Sequence, residues 1–222
     1  MSYDSNKARR KLFATRGFLR EAAGRLNLDP KMVKDAIKAL VVAGVVPCTL
    51  EDNAEALAAD GVWMLLGIGS RIRPNAIARV TPRFASMTLQ IDGDRRRSLS
   101  PGTTFENELA ALFRETWSKA DEAGVPPLLG VSLQWSDGRG SVLFGTVDIW
   151  ERGRPRHWKI FSSEPLRLPQ SPGGEWDFVH IDESLRLPGV GGISFSPLPL
   201  LGFIELLAEG VEETSASVSR NS

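Results

Sequence analysis

Apolar residues recur every three or four positions up to about residue 125 and every second position after Pro127, so the chain reads as a helical half followed by a strand half. Lys7 to Leu28 sets Leu12, Leu19, Ala22, Ala23 and Leu26 on one face, with basic residues between them. Pro30 to Ala43 repeats the pattern with Val33, Ile37, Leu40 and Val41. Leu50 to Ile68 predicts one or two more helices and Pro74 to Met87 another. Thr104 to Ala123 predicts the last, with Thr104 as N-cap and Gly124, Pro126 and Pro127 as its stop. The polar, turn-rich run from Ile91 to Gly102 predicts an exposed linker.

In the second half, Leu129–Trp135, Ser141–Trp150 and His157–Ser162 alternate as strands do, with Trp176–Ile181 and Leu185–Phe195 as shorter strands between Pro/Gly turns. Parity constrains the first hairpin. A two-residue loop at Asp137-Gly138 would oppose Leu133 to Val142 and split the apolar set between two faces. A three-residue loop pairs Leu133 with Leu143 and keeps Val131, Leu133, Leu143, Val147 and Ile149 on one buried face, and is therefore the expectation. Pro197–Glu209 predicts a closing amphipathic helix over the sheet, and Glu212–Ser222 a flexible tail.

Composition narrows the class without deciding it. The 222 residues are 42% hydrophobic and 24% charged, with 27 Lys+Arg against 27 Asp+Glu, ordinary values for a globular protein. The longest apolar stretches, Ala39–Val46 and Val62–Gly69, fall far short of the roughly 20 residues of a membrane helix, so no span is expected. With charge throughout the first 25 residues and a lone Cys48, the expected setting is the cytoplasm. Zero net charge conceals a division, because residues 1–50 are net +6 and residues 101–222 net −7. A basic head on an acidic body suits a polyanion at one end and solubility or protein contact at the other.

Within the head, Phe18 to Val46 carries the most specific pattern. Two short crossing helices need a small residue at the crossing, a turn residue tolerant of the left-handed conformation, and apolar residues on both sides. Ala23 is the small residue and Asn27 the turn residue; Leu26, Leu28, Val33 and Ile37 supply the shared core. Asp29 can cap the second helix and Pro30 occupy its first position. This segment resembles the helix-turn-helix and winged-helix DNA-binding families of bacterial and phage regulators, including their ending in a leucine and Ala-Gly before an apolar strand, here Leu40-Val41-Val42-Ala43-Gly44-Val45-Val46. Asn27 stands where those families usually have glycine, and Pro47 with the acidic helix from Glu51 leaves no room for a second wing strand, so the plain tri-helical form is the better match.

Lys31, Lys34, Asp35 and Lys38 share the face of the second helix opposite Val33, Ile37 and Leu40. In a major groove Lys31 and Lys34 would lie near base edges and Lys38 near phosphate, with Asp35 able to accept from a cytosine amino group. Arg9, Arg10, Lys11, Arg16, Arg20 and Arg25 on the flanking helix would neutralise phosphates. The blander use of all these charges is a solvated helix face.

Other constellations are thinner. Asp148, His157 and Lys159 resemble the acid-plus-X-Lys arrangement of a metal-dependent nuclease. A hairpin tip at Gly153-Arg154, however, would set Asp148 opposite Lys159 and Trp150 opposite His157 as ordinary cross-strand pairs. Asp177, His180 and Asp182 are too close in one strand to cage a metal, and neither a Gly-X-Ser-X-Gly nor a phosphate-binding glycine loop is present. No catalytic residue, metal or cofactor is therefore expected.

The reading is an α+β protein: an N-terminal helix-turn-helix and helical region followed by an antiparallel β-rich domain with a closing helix. The expected divisions are a head at 1–50, a helical region at 51–125 with its linker near 91–102, a β-rich domain at 126–211 and a tail at 212–222. The expected function is sequence-specific binding of double-stranded DNA, as a transcriptional regulator or phage-type accessory factor and not as an enzyme. The β-rich half would serve a homodimer or a protein partner. A prophage assembly or packaging component is the alternative, and the metal-dependent nuclease comes third.

Overall fold

The fold is α+β, and strands follow the last predicted helix of the helical half, as the change of periodicity after Pro127 predicts, while one short strand, Thr88–Asp92, falls within that half. The computed structural model describes residues 16–44, 54–70, 74–92, 103–121, 127–135, 143–150, 157–164 and 191–219. In chain order these form α1 (Arg16–Arg25), α2 (Pro30–Val42), α3 (Ala54–Gly69), α4 (Pro74–Ala85), β1 (Thr88–Asp92), α5 (Phe105–Asp121), β2 (Leu128–Trp135), β3 (Leu143–Trp150), β4 (His157–Ser162), β5 (Gly191–Phe195) and α6 (Pro197–Ser219). The strands make one sheet in the order β1-β4-β3-β2-β5, every neighbouring pair antiparallel.

The β2–β3 hairpin keeps the predicted parity but not the predicted register. Leu133 lies opposite Gly145 and Trp135 opposite Leu143, two residues away from the Leu133–Leu143 pairing. Val131, Leu133, Leu143, Val147 and Ile149 are nevertheless all buried on one face, because a shift of two leaves every side chain on its side. Leu133 thereby opposes a residue without a side chain. The space above Gly145 is taken by Met87 and Phe105, whose Cε and Cζ would stand 2.7 and 2.8 Å from a Cβ placed there.

At the next hairpin the shift is a single residue, and its effect is larger. Val147 opposes Lys159, Asp148 opposes Trp158 and Ile149 opposes His157, so neither expected pair, Asp148–Lys159 or Trp150–His157, forms. A shift of one exchanges the faces of β4. Lys159 consequently points with Val147 toward the helices, and Asp148 points away from them.

Strand β1 is the element that periodicity did not predict. It starts just after the predicted helix ends at Met87, takes in the first two residues of the expected linker, Ile91 and Asp92, and pairs with β4 at the sheet edge. Thr104 caps α5 as predicted, its hydroxyl accepting from Asn107 N at 3.3 Å. The closing helix α6 continues through Ser219, past the predicted end at Glu209 and into the expected tail. The expected strand at 176–181 lies outside the described residues.

Among the described residues α4 meets β3, α6 meets β2 and α3 meets β5, and Val131 and Val147 of the sheet belong to the core they share with the helices. One buried cluster runs from Leu19 and Ala23 through Leu65, Phe84 and Phe113 to Val131, Phe161 and Phe203. Helix α3 is central, touching α2, α4, α5 and α6. It allows that closeness through glycines: a Cβ at Gly61 would collide with Leu207 of α6, and one at Gly67 with Leu40 of α2. Among the described residues, no helix is long and apolar enough to cross a membrane.

Candidate nucleic-acid interface

The path from α1 to α2 is fixed by local hydrogen bonds that the sequence itself dictates. Leu28 N donates to Ala23 O at 2.9 Å and Asn27 N to Gly24 O at 3.1 Å, the paired bonds of a Schellman ending, with Asn27 in the left-handed region at φ 53°. Asn fills this position because its short polar side chain tolerates the conformation better than other L-residues do. Asp29 is extended, at φ −64° and ψ 123°, and its carboxylate accepts from Lys31 N at 3.0 Å while Pro30 begins α2. Gly44, at φ 64°, follows the far end of α2.

Burial sets the rotation of each helix. Ala22, Ala23, Val33 and Leu40 are fully enclosed, and Leu19, Leu26, Ala36 and Ile37 nearly so. The small Ala23 thus sits where the crossing requires a small residue. The opposite face of α2 presents Lys31, Lys34, Asp35 and Lys38 to solvent and ends at Val42, which is 78% exposed. At 100° and about 1.5 Å per residue, the four charged positions span about 100° of arc and roughly 10 Å of helix, the length of about three base pairs. Among the described residues, none of the four side chains forms a salt bridge, so three cations and one carboxylate face outward together.

The flanking arginines divide. Arg20 is exposed on α1. Arg25 is committed to the seam with α6, where Nε lies 3.3 Å from Glu21, Nη1 3.6 Å from Glu205 and Nη2 3.5 Å from Glu209. Its stem lies over Gly202, where a Cβ would stand 3.2 Å from Arg25 Cδ. Three carboxylates around one guanidinium leave it little attraction for a phosphate. Arg16 begins α1, and Arg9 and Arg10 lie outside the described residues.

The residues of the nuclease-like set are separated. Lys159 is 5% exposed on the helix side of the sheet and pairs with Glu108 of α5 at 2.5 Å, whereas Asp148 is on the other side. Sequence reasoning missed Glu108, along with Glu106, which accepts from Trp63 Nε1 at 2.6 Å. Both glutamates lie in the first turn of α5, where the helix dipole favours a carboxylate, and that position was their only local signal. Asp177, His180, Asp182 and Cys48 lie outside the described residues. No family model matches the chain, and no curated protein or solved structure matches it either.

Proposed function

We propose that this chain is a sequence-specific DNA-binding protein, a transcriptional regulator or phage-type accessory factor without chemistry of its own, acting in the cytoplasm. In this reading α2 enters the major groove of double-stranded DNA. Lys31 and Lys34 reach base edges, Lys38 lies near phosphate, and Arg20 on α1 approaches the backbone. The observation that carries it is the exposed Lys31–Lys34–Asp35–Lys38 face of α2, which forms no salt bridge among the described residues, on a helix capped by Asp29 and joined to α1 by a tight turn. Such a face is about three base pairs long, too short to specify a genomic site, so the reading includes a second copy or a protein partner held through the β-rich half.

The test is selection of bound fragments from genomic DNA at two salt concentrations, followed by titration of the selected site. The double change Lys31→Ala and Lys34→Ala is expected to weaken that site by about 1–3 kcal/mol per lost base contact, with thermal unfolding within about 0.5 kcal/mol of wild type. Unchanged affinity and an unchanged salt slope would remove the reading. Large oligomers with no sequence preference would instead favour the assembly component, and DNA consumed on addition of Mg²⁺ or Mn²⁺ the nuclease.

A further inference from the structure

Asp35 is the anomaly on the outward face of α2. Lys31, Lys34 and Lys38 stand four residues before it, one before and three after, yet among the described residues its carboxylate pairs with none of them and remains exposed. A carboxylate facing a phosphate backbone is repelled, so a helix that only neutralised charge would do better without it. An ionised carboxylate can only accept hydrogen bonds, and the major-groove edge offers donors in two places, the cytosine N4 and adenine N6 amino groups. At adenine the neighbouring N7 is itself an acceptor and opposes a second carboxylate oxygen. Cytosine presents no such acceptor, and its paired guanine offers O6 and N7 to an adjacent ammonium.

We infer that Asp35 sets the base preference of α2 by accepting from the N4 amino group of a cytosine, with a flanking lysine on the guanine of the same or a neighbouring pair. The inference rests on the DNA-binding reading above and adds to it a C·G-containing target. Asp35 follows Lys34 by one residue, about 1.5 Å along the helix axis, so the cytosine lies next to the base that Lys34 reads.

The experiment passes the full chain, and its Asp35→Ala and Asp35→Asn variants, over a library of randomised duplexes at two salt concentrations. Wild type is expected to retain duplexes with one strongly preferred cytosine beside guanine. Asp35→Ala should lose about 5- to 150-fold of the discrimination at that position while binding unselected duplex more tightly, and Asp35→Asn should move the preference toward adenine. Asp35 is exposed and mid-helix, so alanine there should leave the melting temperature equal or slightly raised. If Asp35→Ala keeps the same motif and merely binds every duplex better, the cytosine contact is overturned while DNA binding stands. If wild type retains no duplex, or no motif, the DNA-binding reading falls and this inference with it.

Discussion

Lysine serves opposite ends in α2 and in β4. On α2, Lys31, Lys34 and Lys38 are exposed and, among the described residues, without ion pairs. In β4, Lys159 is 5% exposed and held by Glu108 of the helix packed above it. Charge alone does not separate them; the difference lies in what faces each ammonium. The α2 lysines keep their hydration and their long-range field, which suits steering toward a polyanion. Lys159 has given up most of its hydration, and its charge helps to hold α5 to the sheet through Glu108.

The largest expected effect follows from breaking the second half of that contrast. Lys159→Ala leaves the Glu108 carboxylate, only 16% exposed, without its cation, and should destabilise the fold by about 3 kcal/mol. For a chain of this size that lowers the melting temperature by roughly 6–12 °C. The double change Lys159→Met and Glu108→Leu should restore most of the loss, because paired apolar side chains carry no desolvation penalty. Thermal scans of the three proteins decide this. An unchanged melting temperature for Lys159→Ala would mean the pair is hydrated, and the contrast with α2 would collapse.

Of these two environments only the first could be read from sequence. The head is written locally: Ala23, Asn27, Asp29 and Pro30 each act on backbone within a few residues, so spacing suffices to predict α1, the turn and α2. The sheet depends on register, which is set across connections that spacing does not measure. Alternation fixed the parity of β2 and β3, since either even shift buries the same residues, and left Leu133↔Gly145 undetermined. In β4 an error of one residue put Lys159 on the wrong face, and with it the Glu108 pair out of sight. Thr88–Asp92 is too short and too close to a charged run to announce itself as a strand. It becomes one because β4 offers an open edge.

A smaller effect should come from the turn that holds the head. Asn27→Gly should leave the protein as stable as wild type or slightly more so, whereas Asn27→Ala should lose about 1 kcal/mol, since alanine at φ 53° crowds the following carbonyl. Denaturant midpoints at constant m-value would check both. A loss of the same size in the glycine variant would show that the Asn27 side chain, and not its backbone, holds the turn.

The smallest effect is the most discriminating, because it sets Arg25 against Lys38 inside the head. Both are basic, and the sequence alone assigns both to DNA. Arg25 is a third exposed and surrounded by Glu21, Glu205 and Glu209, so Arg25→Ala should lose at most about 1 kcal/mol of stability, the usual worth of solvent-accessible pairs, plus some packing of its stem on Gly202. Its effect on DNA should be slight and should not alter the salt slope, because a guanidinium already neutralised by carboxylates displaces no counterion from phosphate. Lys38→Ala should do the converse, leaving unfolding unchanged, weakening all duplexes about equally and flattening the salt slope by about one. Affinity measured at four or five salt concentrations for both variants gives the two slopes directly. A slope reduced by Arg25→Ala and untouched by Lys38→Ala would place the phosphate contact on the α1–α6 seam, and α2 would no longer be the helix that faces DNA.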